Sequence, residues 1–135
     1  GMTLVEHPEQ MPALESGMYF DADIPVDVMQ KEVGNYIKIT GASFGKDRQM
    51  SGEMTKMGVN KATGMQRLMD ELKIGREDTI AFGDGPNDVE MLQFAGTGVA
   101  MGNAIPAVKQ YADMVTDKID EDGLYHAFER LHLLG

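Results

Sequence analysis

The chain has 135 residues, which suits one domain or parts of two, and is 42% hydrophobic, enough for a core. Its net charge of −10 is spread along the sequence as a solvated surface and argues against a nucleic-acid backbone or an anionic membrane as partner. The absence of cysteine excludes disulfides and thiolate metal sites and fits a cytoplasmic protein, and no apolar run approaches the roughly 20 residues of a membrane span. The 12 methionines are scattered, as adaptable core filler would be. Gly1 before Met2 reads as an expression remnant, with Met2 the natural start.

Taken in order, residues 1–17 hold Pro8 and Pro12 and no clear period, which predicts an irregular entry. Met18 to Phe20 predicts a short strand, and Pro25 opens a helix from Val26 to Glu32 that Gly34 ends. Tyr36 to Thr40 alternates and is β-rich, a second strand. Residues 41–52 are polar and glycine-punctuated, a loop or hinge, and Met54 to Val59 contains another short extended piece.

From Asn60 onward strands and helices alternate. Lys61 to Leu72 predicts an amphipathic helix with Met65, Leu68, Met69 and Leu72 on one face, ended by Gly75. A strand over 79–82, a helix over 88–95, a strand over 98–101 and a helix over 105–112 with Pro106 in its first turn follow. A short strand at 114–116 and a helix from Leu124 to Leu133 close the chain, the latter with Leu124, Ala127, Phe128 and Leu131 on one face. This alternation predicts an α/β fold, a parallel sheet with flanking helices.

The stretch Thr79 to Leu92, TIAFGDGPNDVEML, carries the most chemical information. A short apolar strand runs into a Gly-Asp-Gly-Pro turn, and a helix begins near Asn87 or Asp88. Asp84 thus falls at the carboxyl end of a strand, where open α/β sheets bind ligands. Two carboxylates four residues apart around a glycine turn suit a hard cation such as Mg²⁺, and a helix start with an amide side chain beside it suits a phosphate. Singly, these pairs are also common turn formers, and Asp88 could serve only as a helix cap.

The full run GDGPNDVEML resembles motif IV of the haloacid dehalogenase-like phosphohydrolases, most closely the Cof-like branch with a large cap. The run Gly58 to Met65, GVNKATGM, resembles the motif III of that family, in which a lysine opens a helix; 23 residues separate Lys61 from Asp84, room for one helix and one strand. A lone lysine at a helix start is usually solvated. An ammonium there could neutralise both a phosphoryl oxygen and an aspartyl nucleophile. The resemblance covers about residues 54–134 and is tightest over 58–104. It implies a Rossmann-like core of the haloacid dehalogenase type, hydrolysis of a small phosphorylated metabolite, and Mg²⁺ as cofactor. By the same resemblance Asp84 is the direct Mg²⁺ ligand, Asp88 supports the metal from behind, Asn87 contacts phosphate, and Lys61 clamps phosphate and nucleophile. Gly96 to Ala104 resembles the next strand and turn of the family, at the rim of the site, with Asn103 read as the cap of a helix from Ala104. Asp113 and the acidic run Asp120-Glu121-Asp122-Gly123 resemble its closing segment and are read as charged surface turns.

The family reaction runs through an aspartyl-phosphate formed on a DxDGT motif, with a second Asp as acid and base. The sequence holds no DxDGT. The nearest look-alike, Asp21 and Asp23 in FDADIP, lacks the glycine and threonine and lies 40 residues before Lys61, too close for a crossover helix, a second motif around Thr40 and a cap. The expectation is therefore that residues 1–52 are a cap-domain remnant and hinge, residues 53–135 are the C-terminal part of the core, and the chain is truncated and catalytically incomplete by itself. A second reading is a non-catalytic module that oligomerises or complements another polypeptide. Strand 79–82 would then lack its usual neighbour, and a homodimer or other oligomer, or else the cap-derived segment, is expected to cover that edge.

Overall fold

In a computed structural model, residues 16–19, 23–41 and 49–134 are described. They form two compact units that divide between Met57 and Gly58.

The first unit is an antiparallel three-stranded sheet with one helix. Strand β1 (Ser16–Tyr19) and strand β2 (Ile37–Gly41) flank β3 (Gly52–Lys56), in the order β1-β3-β2. Helix α1 (Val26–Val33) follows Pro25, whose fixed φ suits a helix entry, and ends at Gly34 with φ 61°, as glycine permits. The Gln30 side chain then knots the unit together. Its amide donates to the carbonyls of Gly34 and Ile37, and its oxygen accepts from the Ile39 amide at 2.7 Å. Because β3 pairs with both β1 and β2, residues 53–56 belong to this unit, and the boundary lies five residues later than the one expected at 52.

The second unit is the predicted α/β layer. Asn60 caps α2 (Lys61–Leu72): its side-chain oxygen accepts from the Thr63 amide at 2.8 Å, and Thr63 Oγ1 accepts from the Asn60 amide at 3.0 Å. This reciprocal cap fixes Lys61 as the first helical residue. The helix ends at Lys73 in the left-handed region rather than at Gly75. Strands β4 (Ile80–Gly83), β5 (Thr97–Ala100) and β6 (Met114–Val115) are parallel and in that order. Between them lie α3 (Val89–Phe94), preceded by a 3₁₀ turn over Pro86–Asp88, and α4 (Pro106–Lys109), shorter than the expected 105–112. Helix α5 (Gly123–Arg130) closes the unit.

The core is small-residue packing: Ala81, Leu92, Ala95, Ala100, Ala104 and Val108 are buried together, with Met65, Val89 and Met91 against them. Only half of the expected α2 face is covered, since Met69 is buried but Leu68 and Leu72 are exposed. Phe82 of β4 stacks on Phe128 of α5, centroids 5.4 Å apart and planes 17° apart. Replacing Phe128 by leucine is expected to cost about 1 kcal/mol in urea unfolding, the value of an aromatic pair beyond its buried area.

Candidate active site at the carboxyl ends of the parallel strands

The register of the sheet brings three chain reversals to one end. Ile80 pairs with Thr97 and Gly83 with Ala100, while Val99 pairs with Met114. The residues just past β4, β5 and β6 (Asp84, Asn103 and the 117–119 segment) therefore emerge side by side, at the end where open α/β sheets bind ligands.

Asp88 is the buried member. Its carboxylate is almost fully occupied: Oδ1 accepts from Lys61 Nζ at 2.5 Å, and Oδ2 accepts from the amides of Asp84 and Gly85, each at 3.0 Å. Burial pushes its pKa up, but the Lys61 hydrogen bond, the two amides and the Lys61 charge together outweigh burial and hold it below the ordinary 3.8. Asp88 is thus an anion that folds the Asp84–Gly85 turn around itself and anchors the lysine. Its side chain does not cap α3. Gly83 is required for this approach, because a Cβ there would collide with the Asp88 side chain.

Lys61 is half-exposed, so the ion pair leaves part of its ammonium facing solvent beside the turn. Asp84 is exposed. Its Oδ2 accepts from Asn103 Nδ2 at 3.1 Å, and Oδ1 makes no hydrogen bond among the described residues. Asn87 is half-buried on the 3₁₀ turn, one residue before Asp88. The fold thus gathers Lys61, Asp84 and Asp88 through direct contacts and holds Asn87 within the same turn.

The donor set fits a weakly held hard cation. Mg²⁺ is commonly held by one or two carboxylates and otherwise by water and substrate oxygens. Here Asp84 is exposed and only its Oδ2 is hydrogen-bonded among the described residues, while Asp88 is already committed. Among the described residues no group of three His, Cys, Asp or Glu side chains could hold a metal.

Asn103 departs from expectation. Helix α4 starts only at Pro106 with Ile105 as its cap residue, so Asn103 caps nothing. Instead it donates to Asp84 and accepts from the Ile119 amide at 3.1 Å. The only sequence signal for this was its place in the turn after β5. Asp113 is structural, its carboxylate accepting from the Gly98 amide at 2.8 Å, and Asp120, Glu121 and Asp122 are exposed on the surface turn before α5.

Asp21 lies outside the described residues, and Asp23 is exposed in the first unit. Thr40 lies on β2, and β1 leads toward Asp21; both strands pair with β3 in the antiparallel sheet.

A parallel α/β sheet with a lysine-bound Asp88 and an exposed Asp84 at its carboxyl end is the arrangement of an α/β protein with a ligand site at its strand ends. A model of the haloacid dehalogenase-like hydrolase family matches residues 12–128, and the chain belongs to that family. It is 45% identical over 86 residues to the putative phosphatase YkrA of Bacillus subtilis, covering 64% of this chain and 34% of that protein. It is 35% identical over 128 residues to the 5-amino-6-(5-phospho-D-ribitylamino)uracil phosphatase YcsE of the same organism, covering 90% of this chain and 49% of that one. Among solved structures, BT1666 from Bacteroides thetaiotaomicron, described among phosphatases of the haloalkanoate superfamily, superposes with a TM-score of 0.77 at 30% identity, over 93% of this chain and 44% of that one. The chain therefore spans less than half the length of these three relatives and shares their phosphatase lineage.

Proposed function

We propose that the second unit supplies the Mg²⁺- and phosphate-binding part of a phosphatase acting on a small phosphorylated metabolite. The observation that carries this is the ion pair between Lys61 and buried Asp88, whose carboxylate also holds the Asp84 turn. Asp84 would hold the metal through Oδ1. When bound, the cation would screen the charge of a phosphoryl group and position it. Asp88 fixes the Asp84 backbone and holds the Lys61 ammonium beside the turn. Lys61 offers its exposed side to a phosphoryl oxygen, and Asn87 contributes an amide at the same turn. The first unit is read as cap-derived.

Within this proposal the chain is catalytically incomplete alone, because the sequence has no DxDGT to provide the attacking carboxylate. The purified 135-residue chain is expected to show no Mg²⁺-dependent hydrolysis of an aryl phosphate, yet to gain thermal stability on Mg²⁺ addition. Asp84→Ala should abolish that gain. Hydrolysis that disappears in both Asp84→Ala and Asp21→Asn would overturn the incompleteness.

A second reading, a complementing or oligomerising module, is favoured by one observation. Strand β4 pairs only with β5 among the described residues, and α2, which packs on α3, leaves Leu68 and Leu72 exposed. A homodimer or larger oligomer would cover this edge. Sedimentation of the chain as a monomer at all concentrations would remove that reading. Among the described residues no helix is long and apolar enough to cross a membrane.

A further inference from the structure

We propose that Asn103 is the positioning residue of the site, setting the orientation of the Asp84 carboxylate and tying it to the loop after β6. The inference rests on the reading of Asp84 as a metal ligand and deepens it.

The hydrogen-bond pattern leaves Asn103 one orientation. The Ile119 backbone N–H can only donate, so the side-chain atom facing it at 3.1 Å is the amide oxygen. The NH₂ group must then face Asp84, where it donates to Oδ2 at 3.1 Å. Asn103 is therefore wedged between two chain segments 16 and 19 residues away from it in sequence. The backbone beneath it is fixed as well. The Met101 amide donates to the Gly83 carbonyl at 2.9 Å and the Gly102 amide to the Asp117 carbonyl at 3.0 Å, so the turn carrying Asn103 is hydrogen-bonded to the chain after β6 and to the last residue of β4. Lys109 adds a further brace, since its Nζ donates to the Gly102 carbonyl at 2.6 Å.

Asp84 has no such support of its own. Its side chain is exposed, and Asn103 is the one side chain that holds it among the described residues. A donor on Oδ2 stops carboxylate rotation and leaves Oδ1 as the oxygen offered outward. An unheld exposed carboxylate would have to be ordered on binding, at a cost in affinity. Partners of this kind typically change metal affinity by about ten- to a hundred-fold. The chemistry recognised is that of a hard divalent cation with oxygen ligands.

The test uses the 135-residue chain with Mg²⁺ as the probe, read by thermal unfolding and by amide NMR. Wild type is expected to gain stability with Mg²⁺ and to show a shift of the Ile119 amide, because that amide is bonded to the residue holding Asp84. Asn103→Ala should weaken Mg²⁺ binding roughly ten-fold, at the lower end of that range. Asn103→Asp keeps an acceptor for the Ile119 amide but sets a second carboxylate against Asp84. It should be less stable than wild type without Mg²⁺ and show a larger Mg²⁺-induced rise in melting temperature, since cation affinity grows with carboxylate count. A residue that merely tied down the loop would lower the stability of Asn103→Ala and leave its Mg²⁺ affinity at the wild-type value. Unchanged Mg²⁺ affinity in Asn103→Ala, with binding lost in Asp84→Ala, overturns the role of Asn103 and leaves the metal site standing. Unchanged binding in Asp84→Ala, or no response to Mg²⁺ in wild type, overturns the metal site itself.

Discussion

Replacing Lys61 by methionine is expected to lower stability by about 2 kcal/mol near neutral pH, because it strips a buried carboxylate of its charged partner. The half-exposed lysine keeps this below the cost of breaking a fully buried pair. The pH dependence gives the effect a signature. The Asp88 carboxyl is held below its ordinary 3.8, against the upward push of burial, by the Lys61 hydrogen bond, the Gly85 and Asp84 amides and the Lys61 charge. A lowered folded-state pKa contributes stability that is present above the unfolded value and is lost as pH falls through the folded one. In Lys61→Met the strongest lowering contact is gone. The gap between wild type and variant should be full near neutral pH and close progressively in acid solution, where Asp88 is protonated in both. Urea unfolding across that range measures it. A gap that stays constant through the acid range would mean that the lysine acts through packing of its stem and not through the ion pair.

The second large effect is expected at Gly83→Ala. The new methyl would overlap the Asp88 Cβ and lie 2.9 Å from its Cγ. Neither side has room to yield. Gly83 is buried, and its carbonyl accepts from the Met101 amide across the sheet. The Asp88 carboxylate is held by three donors. Overpacking of this kind costs about 3 kcal/mol. Here it should also displace Asp88 from the turn, so the variant is expected to lose its Mg²⁺ response along with its stability. A well-folded Gly83→Ala chain with a wild-type melting temperature would show that the Asp88 turn is far more yielding than its hydrogen bonds imply.

The sequence disclosed those features that are local. The span of α2 was readable residue for residue because its start is written in its own first turn, where Asn60 and Thr63 cap each other. The parallel sheet was readable because each short apolar strand is followed by a helix. Periodicity named the apolar face of α2 but could not say what covers it, and Leu68 and Leu72 prove exposed. The boundary after Met57 escaped because the pairing of β3 with β1 joins residues far apart in the chain, a register that composition does not encode. At the candidate site, the sequence singled out Lys61, Asp84 and Asp88 and paired Lys61 with a phosphate and an aspartyl nucleophile, with no hint that its nearest partner is Asp88. Asn103 was taken for a local cap, as asparagine before a helix commonly is. Its real partners lie on two other loops, and only the β4-β5-β6 register brings them within reach.

The central claim is that one corner of the second unit, at the carboxyl ends of β4 and β5, was built to hold a divalent cation and a phosphoryl group. An amide NMR titration of the whole chain with Mg²⁺ and inorganic phosphate tests it most directly. The account predicts that the largest shifts fall at Lys61, at residues 84–88, at Asn103 and at Ile119, and that they vanish in Asp84→Ala. Shifts concentrated instead in the first unit, or at the opposite ends of the strands around Arg76 and Asp113, would contradict it.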